Sequence, residues 1–442
     1  MNRRRLPTTA QVGLLLPWIV AVVAARLPLR DNSFLWHVAA GQEQIRRGSV
    51  LTADPFSFTF AGEPWRTQSW LADLGYGVLD QELGWVPLFM VAVTVLVLGL
   101  TGVIVYRASG SLIATAIGQV ATAWVLAAYL NPRPVILSFV LLALAVVAEG
   151  DEKARWILPL LVWVWAGLHG SFVIGIGYLV LLALRRRNRA RLRDAALCVL
   201  AATFTAHGWA VWEVLVDFAA NQEALDFIVE WATPDFSSAA LIPFLGGVLL
   251  LIGGGIRGKL AVRDLWVIGP ALYLATTATR AVPLAWLMLL PFLGAAMSDF
   301  ARIAQRRSLI NLAIAVIAVG LPFVLPIQGG VDLERFPVAV AAHMSSARTF
   351  HDDVVGGWLI YDRWPEVAVF ADDRAELYGA GFFREMVEVR QSRRDYRSTF
   401  DRYGITQALL RGEDAVVVDL IDAGWRQVAG DATFVLLTAP TH

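Results

Sequence analysis

The sequence is poor in three residue types that would otherwise carry chemistry. It has one cysteine, Cys198, set in an apolar run, so no internal disulfide and no thiolate metal cluster can form. Six histidines are present, and none belongs to an HExxH zinc pattern. Lysine occurs only at Lys153 and Lys259, so nearly every cation is arginine. Charged residues make up 17% of the chain, against about 25% in an ordinary soluble domain. The formal net charge is zero, and nucleic acid is not an expected partner.

What is abundant is apolar sequence: 57% of residues are hydrophobic and the mean hydropathy is +0.58. Up to about residue 326, hydrophobic runs alternate with arginine clusters, the pattern of a polytopic membrane protein. The run from Val12 to Leu29 follows Arg3, Arg4 and Arg5 and reads as an uncleaved anchor, although a signal peptide has the same outline. Counting from there by the positive-inside rule gives about eleven membrane segments. The N-terminus is then cytoplasmic and the C-terminus extracytoplasmic.

Three parts of this reading matter most. First, residues 30–85 form one long outer loop that opens at Asp31 and holds nine aromatic residues up to Trp85. Second, the apolar run from Trp156 to Leu184 is longer than the roughly 20 residues one crossing needs. It has cytoplasmic charge at both ends and is interrupted at His169, Gly170 and Ser171. Two shortened helices meeting at His169 are expected, with one long tilted helix as the alternative. Third, the composition turns polar after Pro326, and residues 328–442 read as a small extracytoplasmic α/β domain. Strands are expected at 358–361, 367–370, 415–418 and 434–437, with helix between 382 and 403. The domains are thus 1–327, membrane domain with its outer loop, and 328–442.

This topology gathers polar residues near the outer face: Asp31, His37, Arg133, His169, His207, Glu230, Asp235 and Arg280. Outer loops carry little arginine here, so Arg133 and Arg280 stand out; each also suits a snorkelling helix end. His169 has a competing role in bridging broken backbone, and Asp235 one as a turn acid after Pro234. Trp36, Trp65, Trp70 and Trp85 also suit an interfacial aromatic belt. Asp31 with Asp54 or Asp235 is a candidate divalent-cation set if the fold unites them. No cofactor is otherwise implied.

The run from Asp31 through Trp36, His37, Gly41 and Gly48, then Asp54 to Thr59, Gly62 to Trp65 and Trp70 with Leu71, resembles a group of poorly characterised bacterial membrane proteins. Arg133 with Pro134, His169 with Gly170, Glu230 to Asp235, Gly356 to Leu359 and Arg374 with Tyr378 extend the likeness. The order of first span, Asp, and long outer loop is similar to the GT-C superfamily of membrane glycosyltransferases. The resemblance implies sugar transfer from a polyprenyl-phosphate carrier to a glycan, lipid or protein of the cell envelope, at the outer face of the bacterial plasma membrane. Asp31 would be the base. Arg133, Arg280 and His169 would lie near the phosphate, and Trp36 and Trp65 near sugar. His37, Asp54, Glu230 and Asp235 complete the candidate substrate-binding set. The pattern departs from relatives at Ser33 and Ser69, where they often carry acids. The alternative is accordingly a non-catalytic GT-C-like scaffold or a protein that binds lipid-linked glycan.

Overall fold

The structure is a computed structural model that describes residues 6–24, 26, 31–80, 83–213, 216, 232–302, 307–324 and 331–440. In chain order its helices are α1 (Thr9–Gly13), α2 (Leu16–Ala24), α3 (Ser33–Arg47), α4 (Trp70–Leu79), α5 (Val86–Ser109), α6 (Leu112–Leu126), α7 (Val135–Glu149), α8 (Leu158–Leu168), α9 (Phe172–Arg186) and α10 (Arg189–Thr203). There follow α11 (Ile242–Ile256), α12 (Leu265–Thr277), α13 (Val282–Ala296), α14 (Leu309–Val324), α15 (Val338–Ala341), α16 (Asp353–Arg363), α17 (Ala375–Arg390), α18 (Tyr396–Tyr403) and α19 (Val416–Asp422). The strands are β1 (Thr349–Phe350), β2 (Gln407–Arg411), β3 (Arg426–Gly430) and β4 (Phe434–Thr438).

Two compact units result. The first comprises Met1–Leu29, Gln81–Val211 and Val229–Gly330; the second comprises Arg30–Asp80, Trp212–Ile228 and Val331–His442. The outer loop, assigned to the membrane domain from sequence, therefore groups with the C-terminal segment. Distant residues had to be paired to reveal this.

The first unit is a helical bundle. Four of its helical stretches are long and apolar enough to cross a bilayer: Val86–Ser109, Leu112–Tyr129, Ala239–Ile256 and Thr279–Ala296. Shorter apolar helices are Thr9–Ala24, Val135–Glu149, Arg155–Leu168 and Leu309–Leu321. A proline in the first turn starts α5, α8, α11 and α13, where its missing N–H costs no hydrogen bond. Small residues let helices approach closely: an added Cβ on Gly294 would lie 2.7 Å from that of Ala108.

One end of this bundle collects charge. Arg191 pairs with Glu149 and Glu152, Arg155 with Asp194 at 2.5 Å, Arg185 with Asp264 at 2.7 Å, and Lys259 with Asp299 at 2.8 Å. These pairs bring residues 149–155, 185–194, 259–264 and 299 together. The break at His169 is also present. Trp165, on α8, lies against Gly175 on α9, where an added Cβ would come within 2.3 Å of its ring, so the two helices fold back as a hairpin.

The second unit is α/β. Its four-stranded sheet has the order β1-β2-β4-β3, parallel between β1 and β2 and antiparallel elsewhere. Phe350, Phe370, Tyr378, Phe382, Met386, Phe400 and Leu437 lie in its core. The outer loop joins that core directly. Phe58 N donates to Val369 O, Val369 N to Phe56 O, and Thr59 Oγ1 to Phe370 O.

Of the expected strands, 434–437 lies in β4, whereas 358–361 lies in α16 and 416–418 in α19. Residues 367–370 make only an isolated bridge, Ser57 to Val369. The expected helix over 382–403 is divided between α17 and α18. Tertiary packing overrides the strand preference of β-branched residues here.

Candidate functional site

In the second unit the site is built around the head of α3. Asp31 is 7% exposed, and its Oδ1 accepts the Phe34 N–H at 3.1 Å, satisfying one of the donors a helix start leaves open. Asn32 Nδ2 donates to Asp373 Oδ2 at 3.3 Å, and Ser33 Oγ donates to the same oxygen. Ser33 thus sits against a carboxylate from the C-terminal segment.

One turn further on, His37 Nδ1 lies 2.6 Å from Asp73 Oδ1, and Thr67 Oγ1 donates to the other oxygen of Asp73. Asp73 has no exposed surface. It follows Ser69 by one helical turn, and its N–H donates to the Ser69 carbonyl. Tyr76 packs edge-on against Phe34, with ring centroids 6.2 Å apart. Burial, then the Asp73 and Asp31 carboxylates, push its phenol well above the usual range, so all three groups share one electrostatic neighbourhood. The imidazole of His37 stacks on Trp36 at 3.6 Å, and Trp36 meets Trp65 edge-on at 5.9 Å.

Asp54 and Trp65 belong to a different arrangement. Asp54 accepts from Phe56 N, Ser57 N and Ser57 Oγ, which shapes the turn after it. It also accepts from Arg374 Nη1 at 2.7 Å. Arg374 donates through Nε and Nη2 to both oxygens of Asp372, and its guanidinium lies 4.5 Å from the Trp65 ring centroid. Trp65 Nε1 donates to Glu376. These groups are buried and paired, so they brace the fold around the head of α3.

The first unit holds a second cluster. His169 ends α8 in an extended conformation. Its Nδ1 accepts the Ser171 N–H at 3.1 Å, with Ser171 Oγ at 2.8 Å. A neutral imidazole accepting at Nδ1 carries its proton on Nε2. That nitrogen lies 3.4 Å from Arg280 Nη2, which can only donate. Two N–H donors face each other, an arrangement suited to a shared oxyanion. Tyr129 OH donates to Thr279 O at 2.6 Å, bringing the segment that leads to Arg133 to the end of the bundle that holds Arg280.

Arg133 itself sits in a turn whose N–H donates to Asn131. Asp235 is exposed and accepts from Ser237 N and Oγ, the turn role anticipated as its alternative. His207 accepts the Ala210 N–H through its carbonyl, at the start of a short helical turn. Glu230 lies outside the described residues. Among the described residues no three His, Cys, Asp or Glu side chains cluster as a metal site, and Asp54 is committed to Arg374.

Asp73, Thr67 and Ser171 were not singled out as site residues from sequence. Asp73 left one signal: it is the only acid in the apolar segment forming α4, and a buried carboxylate needs a partner.

No family model matches the chain, and no curated protein matches it by sequence. Among solved structures it is similar to ArnT from Cupriavidus metallidurans bound to undecaprenyl phosphate. The TM-score is 0.54 at 15% identity, over 97% of this chain and 98% of that one. It is also similar to the archaeal oligosaccharyltransferase AglB from Archaeoglobus fulgidus, in complex with an inhibitory peptide and a dolichol-phosphate. There the TM-score is 0.53 at 10% identity, over 90% of this chain and 69% of that one. With its apolar bundle and small sheet, the chain shares the overall fold of these two structures, in line with the GT-C-like fold that its sequence resemblance implied.

Proposed function

We propose that this protein transfers a sugar from a polyprenyl-phosphate carrier to a hydroxyl-bearing acceptor of the cell envelope, at the outer face of the bacterial plasma membrane. The observation that carries this reading is the donor pair of His169 Nε2 and Arg280 Nη2, 3.4 Å apart within a GT-C-like fold. A lipid phosphate oxygen would accept from both, and charge-assisted bonds of this type are the strong ones. Arg133 would add to the positive field.

In the reaction, the acceptor oxygen bonds to the anomeric carbon while the carbon–phosphate oxygen bond breaks. The electron pair leaves with the polyprenyl phosphate, and the hydroxyl proton passes to a base. Asp31 is the proposed base, next to Trp36 and His37 on the acceptor side.

The test uses the full chain in detergent, with undecaprenyl phosphate as binding probe and undecaprenyl-phosphate-linked sugars as donors. Asp31→Asn should abolish transfer while leaving undecaprenyl phosphate binding intact. Unchanged transfer in Asp31→Asn removes the base assignment. A wild-type chain that binds no undecaprenyl phosphate overturns the reading as a whole.

A further inference from the structure

The imidazole of His37 is fixed in the opposite sense to that of His169. Asp73 Oδ1 lies 2.6 Å from Nδ1, and a carboxylate can only accept, so the proton of neutral His37 sits on Nδ1. Asp73 is itself held: it is fully buried on α4 and receives the Thr67 hydroxyl on its other oxygen. The α3–α4 crossing leaves little room for rearrangement, because an added Cβ on Gly41 would lie 1.8 Å from the Asp73 carbonyl oxygen. Nε2 is therefore left as a hydrogen-bond acceptor.

Among the described residues Nε2 has no hydrogen-bond partner, and it is not one of the sealed polar atoms of the fold. His37 keeps 7% of its surface exposed. The ring stacked on it, Trp36, is also 7% exposed, and its Nε1 is buried without a protein acceptor. An acceptor and an unsatisfied donor thus occur on adjacent stacked rings, beside the proposed base.

We infer that Nε2 of His37 is an acceptor-binding atom that takes a hydrogen bond from a hydroxyl of the acceptor substrate, with Asp73 as the positioning residue that sets the required tautomer. The inference rests on the proposed transferase reading and deepens it by stating what the acceptor must present. A nitrogen that only accepts favours O–H groups and gives nothing to a phosphate or carboxylate oxygen. His169, a donor, suits the lipid phosphate; His37, an acceptor, suits the hydroxyl-bearing partner.

The titratable groups in the neighbourhood of His37 are Asp73 and Tyr76 from α4 and Asp31 at the head of its own helix. Asp373 lies at Ser33, and Arg374 lies over the Trp65 ring that meets Trp36. The nearest is the Asp73 carboxylate, 2.6 Å from Nδ1.

The experiment is ¹⁵N NMR of histidine-labelled full chain in detergent, with His37 assigned by comparison with His37→Asn. At neutral pH the His37 signals should report Nδ1–H and an unprotonated Nε2. Methyl α-D-glucopyranoside, as a hydroxyl probe, should move the Nε2 resonance, and sodium phosphate should not. Asp73→Asn should raise the share of the Nε2–H tautomer, since the carboxylate that holds the Nδ1 proton is gone. An Nε2–H tautomer overturns the inference, as does a response to phosphate alone or to neither probe. The tautomer is read in the wild-type chain, so a poorly folding Asp73 variant does not decide the matter. Undecaprenyl phosphate binding is measured separately, so a failure of the transferase reading is seen apart from a failure at His37.

Discussion

Arg374 and Asp54 are 320 positions apart in sequence, yet their side chains meet at 2.7 Å with neither retaining any exposed surface. The pair joins the first long loop to the C-terminal segment inside one compact unit. Asp372 takes two further donors of the guanidinium and the Tyr378 hydroxyl, and the aromatic rings of Trp65 and Phe56 cover its faces. Once paired this fully, a buried charge is strongly position-defining, because either partner alone would be left uncompensated.

Arg374→Met should accordingly destabilise the second unit by about 3–5 kcal/mol, the typical cost of breaking a buried pair from one side. Limited proteolysis of the full chain should then cut within residues 50–65 earlier than in wild type. Truncation after residue 331 should have the same effect on the loop, because it removes Arg374 together with the Val369 and Phe370 backbone partners of residues 56–59. A loop that stays protected in both variants would contradict the bracing role.

The crossing of α3 and α4 gives a second prediction. A Cβ on Gly41 would meet the Asp73 carbonyl oxygen at 1.8 Å, and one on Gly77 would meet the Gly41 carbonyl carbon at 2.4 Å. Gly41→Ala should therefore cost at least about 1–3 kcal/mol and spread the helices that hold His37 against Asp73. Gly75, on the same helix α4, has open space where its Cβ would go. Gly75→Ala should be neutral or stabilising by up to about 1 kcal/mol. Thermal unfolding of both variants in detergent distinguishes them.

Two groups near the start of α16 should make the second unit respond to pH in opposite directions. His351 Nδ1 donates to the Asp352 carbonyl at 2.8 Å, and Nε2 accepts the Phe370 N–H at 3.0 Å. Burial lowers its pKa below the ordinary 6.5, against the opposing pull of the Asp352 carbonyl and of the Asp352 and Asp372 carboxylates. The stability it contributes is full above pH 6.5 and is lost as pH falls toward the lowered value. Burial, reinforced by Asp352, pushes Asp353 up to about 6. Its contribution is full below the ordinary 3.8 and is lost as pH rises through about 6. Asp353→Asn should thus gain on wild type as pH is raised through about 6, and should show an unmasked loss of stability on acidification from His351. Unfolding temperatures measured between about pH 4 and pH 8 test both signs.

The parts of the fold legible in sequence were those governed by solvent. Apolar runs ending in arginine mark the bundle helices, and Leu265–Thr277 falls where the hydropathy ends. The interruption at His169 was legible because the apolar run exceeds one crossing, carries charge at both flanks and is broken by His169, Gly170 and Ser171. Features that depend on distant partners were hidden. Val416 to Val418 carry the composition of a strand, but they lie in a seven-residue helix that buries Val416, Val417 and Leu420 and leaves Val418 exposed. Arg374 and Asp372 are near neighbours in sequence, but only the fold brings Asp54 and Trp65 to them. At the site, Asp31 and His37 could be singled out by position, whereas Asp73 required knowing that α4 crosses α3 at Gly41 and Gly77.

The last prediction concerns the lipid phosphate and the two donors of the bundle. Arg280→Gln removes the cation while keeping a donor of similar reach, so it should weaken undecaprenyl phosphate binding by about tenfold or more, about 1.4 kcal/mol. It should also flatten the dependence of binding on salt, because fewer charges take part. His169→Ala should weaken binding less, since a neutral donor contributes less than a charged one to an anion. If both hold the same oxyanion, the double variant should lose less than the two single losses combined, the signature of coupled contacts. Strict additivity would mean that the facing donors serve different partners. Unaltered binding in Arg280→Gln would mean that the 3.4 Å pair does not hold phosphate at all. Isothermal titration of the full chain with undecaprenyl phosphate in detergent, at two salt concentrations, separates these outcomes.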